Sequence, residues 1–404
     1  MAVNLHAPER ILPVSGLCWA VAEAAIKKPG RLDMALMVLP PSARVAGVFT
    51  QNAFAAAPVR VAQQHLGAGT IRALLINSGN ANAGTGRAGL ADAQACCARV
   101  ADGLGIEPQQ VLPFSTGVIG QALPMERIVG AVDRMATGLS EHAWLDAATA
   151  IMTTDTVPKG GSRIVEVDGG EQIVLSGIAK GSGMIRPDMA TMLSFIATDA
   201  AIDSTDLDAA LRQAMAGSFN AISVDGDTST NDACMLCATG AGVALGPSDP
   251  VWPRFVSALT DLARELAQAI VRDGEGATRF ITLAVTGARD DAEAREVAFT
   301  VAHSPLVKTA CFAGDPNWGR ILAAVGRAPV ADLSIDRVAI ALDDVAIVAD
   351  GEPRADYAEA DAAAVMARPE YTVAIDLGRG EGRATIWTSD LSYEYVRINA
   401  EYRS

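Results

Sequence analysis

Short apolar runs alternate with longer amphipathic stretches along the whole chain. Runs such as 45–50, 71–76 and 111–114 are rich in β-branched or aliphatic residues and predict buried strands. Apolar residues at helical spacing predict helices, and the clearest of these covers 255–271. Alternation of the two kinds of element over the full length indicates an α/β fold. The other predicted helices are 90–104, 125–135, 142–152, 205–215 with Ser204 as N-cap, 292–302 and 318–324, and the other predicted strands are 163–167, 172–178, 191–198, 280–285, 338–342, 371–375 and 384–387.

The composition indicates how many folded units and which kinds of binding partner to expect. A chain of 404 residues exceeds the usual size of a single core, so two or more packed units are expected. Half of the residues are apolar and a fifth are charged, which is typical of a folded globular protein. The net charge of -15 argues against nucleic acid and anionic membranes as partners, since no basic excess exists to displace counterions.

The sequence also carries indications about the compartment. Residues 1–16 lack the charged-then-apolar pattern of a signal peptide, and no run of eighteen apolar residues predicts a membrane span. Six cysteines in so long a chain do not make a disulfide framework. A reducing cytoplasm is therefore the expected location.

Cysteine and glycine motifs do not predict a metal or a nucleotide cofactor. Cys234 and Cys237 have the spacing of a redox pair or half a zinc site, but no second cysteine pair follows and the four histidines are scattered. Two buried apolar side chains are the preferred interpretation. The chain lacks both the dinucleotide-binding glycine pattern after a strand and a Walker A motif.

The most informative segment runs from Lys180 to Thr191, where the small residue Ala190 precedes a threonine in mid-chain. A threonine hydroxyl becomes a good nucleophile when a neighbouring base takes its proton, and the threonine's own α-amine can be that base. The amine is available only if the bond before Thr191 is cut. Gly181 and Gly183, with the nearby Pro187, permit a bent approach to that bond.

Each candidate also has a purely structural interpretation. Thr191 could simply open a buried strand, a position that threonine favours. Thr116 and Gly117 follow a predicted strand and could donate hydrogen bonds to an oxyanion, yet spacing alone favours an ordinary strand-to-loop turn. Residues 223–231 lack the closing glutamate of a calcium loop and are interpreted as a polar loop with internal hydrogen bonds.

At these segments the chain resembles the ornithine acetyltransferases, also called glutamate N-acetyltransferases, of arginine biosynthesis. The resemblance covers nearly the whole chain. Its motifs are Asn77-Ser-Gly-Asn-Ala-Asn-Ala, Ser115-Thr-Gly-Val-Ile-Gly, Met152-Thr-Thr-Asp-Thr, Lys180-Gly-Ser-Gly-Met-Ile, Met189-Ala-Thr-Met-Leu, Val224-Asp-Gly-Asp-Thr-Ser-Thr-Asn, Gly274-Glu-Gly-Ala-Thr and Asp315-Pro-Asn-Trp-Gly-Arg.

The resemblance implies a fold and a division of the chain. The implied fold is α/β, a layered α-β-β-α sandwich of the self-cleaving N-terminal-nucleophile type. Autoproteolysis between Ala190 and Thr191 would give an α chain of residues 1-190, with the oxyanion hole and part of the substrate site, and a β chain of residues 191-404. The two chains are expected to assemble as an α2β2 heterotetramer.

The resemblance also implies the activity and the residues that perform it. The reaction is acetyl transfer from N-acetylornithine to glutamate through an acetyl-threonine intermediate. Thr191 would be the nucleophile, and Thr116 and Gly117 would be the oxyanion donors. No resident cofactor or metal is implied, and acetyl-CoA stays open as a further acetyl donor. The implied substrate contacts are Thr154, Lys180, Thr191, Glu275, Asn399 and Ser404.

Two positions depart from the family pattern, and two other functions compete with the implied one. Gly84 stands where cysteine is expected, and Arg186 adds a cation near the predicted cleavage site. The first competitor is a self-cleaving amidohydrolase or aminopeptidase, in which water would release the acyl group. The second is an uncleaved binding protein without enzymatic activity, in which Thr191 is merely a strand residue.

Overall fold

The computed structural model of the chain describes residues 2–186 and 192–401. The described residues contain sixteen strands and eleven α-helices. The strands are β1 (Cys18–Ala22), β2 (Met34–Val38), β3 (Arg44–Phe49), β4 (Ala73–Asn80), β5 (Val111–Val118), β6 (Lys159–Glu166), β7 (Gln172–Lys180), β8 (Leu193–Thr198), β9 (Ile222–Ser223), β10 (Ala233–Ala238), β11 (Phe280–Ala288), β12 (Ala339–Leu342), β13 (Val345–Ala349), β14 (Glu352–Pro353), β15 (Glu370–Asp376) and β16 (Gly382–Ser389). The helices are α1 (Ala57–Ala68), α2 (Gly86–Leu104), α3 (Met125–Met135), α4 (Trp144–Ala150), α5 (Ser204–Ala216), α6 (Trp252–Arg272), α7 (Asp291–Ala302), α8 (Pro305–Ala313), α9 (Trp318–Gly326), α10 (Glu359–Met366) and α11 (Tyr393–Ala400).

The chain divides into two compact units. The larger unit comprises 7–220 and 227–270, and the smaller one comprises 1–6, 221–226 and 271–404. The expectation of at least two packed units is thus confirmed. The predicted chains 1–190 and 191–404 are a different division, which stays a prediction.

The larger unit contains two sheets with a shared core. One sheet has the order β1-β2-β4-β5, and the other has the order β3-β10-β8-β7-β6. Apolar side chains from both sheets meet in one buried cluster, which includes Trp19, Phe114 and Phe195. The rings of Phe114 and Phe195 contact edge to face at 5.1 Å between centroids. The two sheets therefore pack face to face.

Helices cover the outer faces of both sheets in the larger unit. A second apolar cluster joins β1, β2 and β4 to the buried faces of α2 and α3. Helix α5 packs on β3 and β10, and Leu262 and Leu266 of α6 lie against the glycines of β6 and β7. The order of layers is helices, sheet, sheet, helices, which confirms the predicted α-β-β-α fold.

The smaller unit is built on one seven-stranded sheet with the order β14-β13-β12-β15-β11-β16-β9. Strands β11 and β15 run parallel, and β16 pairs antiparallel with β11 on the other side. Helices α7 to α10 supply apolar side chains to the same buried cluster as the sheet. This cluster is the core of the smaller unit.

Several sequence predictions differ from the structure in detail. Helix α5 begins at Ser204 itself, and Asp203 takes the extended N-cap conformation, so the predicted N-cap was wrong by one residue. The sequence pattern also failed to predict β1, β2 and β10, whose buried faces lack clear alternation. Strands buried on both sides read as continuous apolar runs, which periodicity alone does not distinguish from helices.

Candidate active site

The ends of β4 and β5 approach each other unusually closely. These strands are parallel, and Gly79 lies opposite Gly117 with a shift of register at Asn80. Both glycines have positive φ angles, +106° for Gly79 and +134° for Gly117. A Cβ atom on Gly117 would lie 2.3 Å from the Gly79 carbonyl carbon. Only glycine fits at Gly117, because the neighbouring obstacle is backbone.

Replacing Gly117 by alanine is therefore expected to move the amide that the family resemblance implies as an oxyanion donor. Gly117→Ala should lower kcat by about 10²–10³-fold, the usual loss when one such donor is displaced. Acetyl transfer by the purified variant is the measurement. Gly120→Ala is the matched control, since Gly120 also has a positive φ, +80°, but open space where its Cβ would go. Equal losses in the two variants would refute the close-approach argument.

Buried amides tie the end of β5 to its surroundings. Ser115 Oγ donates to Asn77 Oδ1 at 2.6 Å, and Asn231 Nδ2 donates to the carbonyls of Ser115 at 2.9 Å and Ala81 at 2.6 Å. Thr230 Oγ1 in turn donates to Asn231 Oδ1 at 2.6 Å. The predicted internal hydrogen bonds are therefore present in the 227–231 part of the polar loop. These contacts hold the backbone that carries Thr116 and Gly117.

Lys180 is the side chain that reaches Thr116. It is the last residue of β7 and is buried, and its Nζ donates to Thr116 Oγ1 at 3.2 Å. An ammonium group has only donors, so the threonine oxygen must accept in this bond. The hydroxyl proton of Thr116 is then left for another acceptor. This arrangement suits a donor to a developing oxyanion.

A buried ion pair lies directly behind Lys180. Asp155 Oδ1 accepts from Lys159 Nζ at 2.7 Å and from the Gly181 amide at 2.7 Å, and both side chains of the pair are fully buried. Burial by itself would raise the pKa of Asp155. The charges of Lys159 and Lys180 outweigh that effect and hold the pKa of this carboxyl well below its usual range. Asp155 is therefore ionised and anchors the backbone that follows Lys180.

Thr154 is joined to the same backbone segment. Its Oγ1 lies 2.7 Å from Ser182 Oγ, and Ser182 is buried. Thr154 and Asp155 thus hold Ser182 and Gly181, the first two residues after β7. The larger unit brings together four predicted site residues here: Thr116, Gly117, Thr154 and Lys180.

Asp232 is a second buried acid in this region. It is 3% exposed, and its Oδ2 has no hydrogen-bond partner in the described part of the chain. Burial raises the pKa of Asp232 well above its ordinary value, while a hydrogen bond from Ser229 and the charge of Lys180 act in the opposite direction. Its carbonyl accepts from the Thr50 amide at 3.0 Å, and the following Ala233 amide donates to the Met192 carbonyl at 2.9 Å.

Two further predicted substrate contacts pair in the smaller unit. Asn399 of α11 donates from Nδ2 to Glu275 Oε2 at 2.8 Å. Glu275 is 9% exposed and lies in the turn 273–276. The hydroxyl of Ser392 donates to the Gly276 carbonyl at 2.6 Å, which ties this turn to the start of α11. The predicted residues Ala190, Thr191 and Ser404 lie outside the described residues.

The cysteine pair is confirmed as buried. Cys234 and Cys237 lie in β10 without solvent exposure, and burial raises the pKa of Cys234 to about 12. Such a thiol is protonated at neutral pH and a poor nucleophile. Among the described residues, no group of three His, Cys, Asp or Glu side chains could hold a metal ion. The helices within 2–186 and 192–401 include none that is long and apolar enough to cross a membrane.

Three polar residues of this region were missed at the sequence level. Asp155 stood within a quoted motif, but nothing in its spacing distinguished it from a surface carboxylate. Lys159 and Asp232 sit beside turn residues, where charged side chains are usually solvated. Only the folded structure buries them: Lys159 opens β6 and pairs with Asp155, and Asp232 directly precedes β10 of the same sheet.

Comparison with known proteins agrees with this fold. Residues 18–404 match the model of the ArgJ family. A protein of Methylococcus capsulatus named arginine biosynthesis bifunctional protein ArgJ is 55% identical over 98% of this chain and 97% of its own length. The protein of the same name from Pseudomonas fluorescens is 50% identical over the whole of both chains. A crystal structure of the Bacillus halodurans ArgJ protein is 41% identical, with a TM-score of 0.50, over 52% of this chain and 99% of that chain.

These matches define the class of protein first. The chain is an enzyme, an acyltransferase of arginine biosynthesis on a layered α/β fold. More particularly, the chain belongs to the ArgJ family. The family resemblance drawn from the motifs is thereby confirmed, and the interpretation as a non-enzymatic binding protein is excluded.

Proposed function

We propose that the chain transfers the acetyl group of N-acetylornithine to glutamate through an acetyl ester on Thr191. The products are ornithine and N-acetylglutamate. The observation that carries this proposal is the bond from Lys180 Nζ to Thr116 Oγ1, beside the closely packed backbone of Gly117. It leaves a hydroxyl proton and a glycine amide as neighbouring donors, the arrangement that acyl transfer requires.

Self-cleavage between Ala190 and Thr191 is the first step of the proposed mechanism. The hydroxyl oxygen of Thr191 attacks the Ala190 carbonyl carbon and displaces its own nitrogen, and water then hydrolyses the ester. The products are a carboxylate on Ala190 and a free α-amine on Thr191. Two observations support this step. Residues 181–192 connect the neighbouring antiparallel strands β7 and β8, and the crystallised Bacillus halodurans chain, matched over 99% of its length, covers 52% of this chain.

The free α-amine of Thr191 then serves as the base in turnover. It takes the hydroxyl proton as Thr191 attacks the acetyl carbonyl, directly or through one water. Thr116 and Gly117 donate to the oxyanion that forms. The tetrahedral intermediate collapses, the proton passes to the leaving nitrogen, and ornithine departs. Glutamate's amine attacks the acetyl ester in the second half-reaction and regenerates the threonine hydroxyl.

The remaining predicted residues are assigned to substrate binding. Glu275 is the proposed partner of ornithine's side-chain ammonium group, and Asn399, which donates to Glu275 at 2.8 Å, orients its carboxylate. Lys180 is the nearby cation for an α-carboxylate or for the cleavage step. Thr154 and Ser404 complete the proposed set, with Thr191 itself as the acyl carrier.

A second acetyl donor, the assembly and the location belong to the same proposal. We infer that acetyl-CoA also acetylates Thr191, and the word bifunctional in the names of the two curated relatives supports this inference. No resident cofactor is then needed, because each donor brings its own acetyl group. The proposed assembly is an α2β2 heterotetramer in the cytoplasm.

An assay of each half-reaction tests the proposed function. The mature enzyme should form N-acetylglutamate from N-acetylornithine with ping-pong kinetics, since a covalent intermediate separates the two half-reactions. A second assay supplies acetyl-CoA as the donor. Hydroxylamine should trap the acetyl group in the absence of glutamate. Release of acetate at the same rate with and without glutamate would instead establish the amidohydrolase alternative.

A further inference from the structure

Glu275 is a buried carboxylate without a cationic partner in the described part of the chain. It accepts from Asn399 Nδ2, a neutral amide, and forms no ion pair with the described residues. A buried carboxylate without a counter-charge is costly, so a cationic ligand is the partner that it favours. The structure that holds Glu275 in place therefore decides how well this carboxylate selects such a ligand.

The turn that carries Glu275 lies against the beginning of α11. Gly276 has a φ of +70°, and a Cβ atom on it would lie 2.5 Å from the Tyr395 amide nitrogen. The carbonyl of Gly276 accepts from Ser392 Oγ at 2.6 Å. Asn399 belongs to the same helix, so the turn and the helix must keep their relative positions for Asn399 to reach Glu275.

Asp390 connects these two segments by three hydrogen bonds. Its Oδ1 accepts from the amides of Thr278 at 2.8 Å and Arg279 at 2.9 Å, and its Oδ2 accepts from Thr278 Oγ1 at 2.5 Å. Asp390 is buried and lies between the end of β16 and the start of α11. Hydrogen bonds to a carboxylate are about twice as strong as neutral ones, so this connection is a firm one.

Lys308 of α8 fixes the segment in which Asp390 lies. Its Nζ donates to Thr388 Oγ1 at 3.1 Å and to the Ser389 carbonyl, and its own carbonyl accepts from the Leu391 amide at 3.2 Å. Residues 388–391 are thus attached to α8, and Asp390 holds the turn from a fixed position. The mechanism above assigns no task to Asp390 or Lys308.

We propose that Asp390 is a positioning residue that determines specificity: by holding the turn 273–279 against the segment before α11, it places Glu275 to select acetyl donors with a side-chain ammonium group. This inference rests on the proposed function, in particular on Glu275 as the partner of ornithine's ammonium group. Asp390 acts through Glu275 and does not touch the substrate. Its loss should weaken recognition of the ammonium group and spare the acetyl chemistry, because other contacts hold Thr116 and Gly117.

Two acetyl donors that differ only in the ammonium group test this inference. N-acetyl-L-norvaline has the carbon chain of N-acetylornithine without the side-chain amine, and the preference is the ratio of the two kcat/KM values. The mature wild type should prefer N-acetylornithine by about 10²-fold or more, because a buried polar site rejects a ligand that lacks the matching group. Asp390→Ala should reduce the preference about tenfold, since it misplaces Glu275 without deleting it. It should lower kcat/KM for N-acetylnorvaline by less than about threefold.

The Glu275→Ala background gives the decisive result. With no carboxylate left to position, Asp390→Ala should reduce the preference no further. If Asp390→Ala leaves the preference of the wild type unchanged, slows both donors equally, or reduces the preference equally in both backgrounds, the inference is overturned while the proposed function stands. If Glu275→Ala itself leaves the preference unchanged, Glu275 does not bind the ammonium group, and the inference fails together with that part of the proposed function.

Two substitutions guard against a merely structural effect. Asp390→Asn should keep most of the preference, since its amide oxygen can still accept from the two backbone amides. Asp343→Ala is the matched control: Asp343 lies in the turn between β12 and β13 of the same unit, and its Oδ1 accepts from the Thr372 amide at 2.7 Å. It should leave the preference unchanged. A reduction by either substitution as large as that by Asp390→Ala would overturn the inference.

A milder variant serves if Asp390→Ala does not fold. Ser392→Ala removes only the bond to the Gly276 carbonyl and takes the place of Asp390→Ala in both backgrounds. A reduced preference that is absent in the Glu275→Ala background supports the inference. A preference that is unchanged, or that falls equally in both backgrounds, overturns it. All rates are normalised to the amount of mature amino-terminal threonine.

Discussion

Thr191→Ala is expected to remain a single chain near 41.8 kDa and to transfer no measurable acetyl group. Both outcomes have one cause. The methyl group of alanine can attack neither the Ala190 carbonyl nor the acetyl carbonyl, and without cleavage no free α-amine forms. Loss of a nucleophile costs on the order of 10⁶-fold in kcat. Denaturing electrophoresis and the N-acetylglutamate assay measure the two effects on the same sample.

Two controls separate the chemistry from the fold. Thr191→Ser keeps a hydroxyl and should still give two chains of about half the full length, although more slowly. Thr198→Ala alters a buried threonine at the last position of β8 and should mature and turn over normally. A Thr191→Ala protein that yields two chains, or that transfers acetyl groups, would refute the self-cleaving mechanism.

Asp155→Asn is expected to have the largest effect on stability. It removes the carboxylate that pairs with the fully buried Lys159 ammonium group, which should cost about 4 kcal/mol. Guanidinium unfolding followed by tryptophan fluorescence measures the loss, in the uncleaved Thr191→Ala background at one protein concentration. The double variant Asp155→Asn with Lys159→Met should regain part of the lost stability, since the buried ammonium charge is gone.

The difference in unfolding free energy between the wild type and Asp155→Asn should depend on pH in a definite direction. The pKa of Asp155 is lower in the folded protein than in the unfolded chain, so its ionised form stabilises the fold above the ordinary carboxyl pKa. The contribution is lost as the pH falls toward the lowered folded pKa. The difference between wild type and Asp155→Asn should therefore be constant near neutrality and shrink below about pH 4.

An exposed ion pair provides the matched control for Asp155. Asp208 pairs with Arg212 on the surface of α5, and both side chains are more than two-fifths exposed. Asp208→Asn should cost less than about 1 kcal/mol, because water screens such pairs. Equal costs for Asp155→Asn and Asp208→Asn would show that the buried pair contributes no more than a surface contact.

Much of the secondary structure was predictable from the local spacing of apolar residues, because that spacing decides which face of an element is buried. Helices α3 and α6 have one apolar face at helical spacing, so their extents were predicted closely from the sequence. Strands β6 and β7, which pair antiparallel, were predicted from their apolar runs at 163–167 and 172–178. By contrast, β10 is buried throughout, and a run without alternation does not reveal its partners.

For the candidate site, too, the sequence predicted one part and the structure revealed another. The family motifs alone implied the candidate site residues, including Thr116, Gly117, Lys180 and Glu275, because a resemblance depends on residue type and order. Spacing alone favoured an ordinary turn at Thr116, and the oxyanion role that the resemblance implied for Thr116 and Gly117 stays a prediction. What the structure adds is the Gly79–Gly117 approach and the bond from Lys180.

The linear chain thus established the layered α/β class, the family motifs and the predicted scissile bond, all of which depend on residue type and near neighbours. Folding decided which charges are buried and what they face. Asp155 and Asp232 lie 77 positions apart and are the same residue type, yet Asp155 pairs with Lys159, whereas the Asp232 Oδ2 has no hydrogen-bond partner among the described residues. The physical reason is that burial and pairing set the energy of a charge, and both arise only when distant strands pack together.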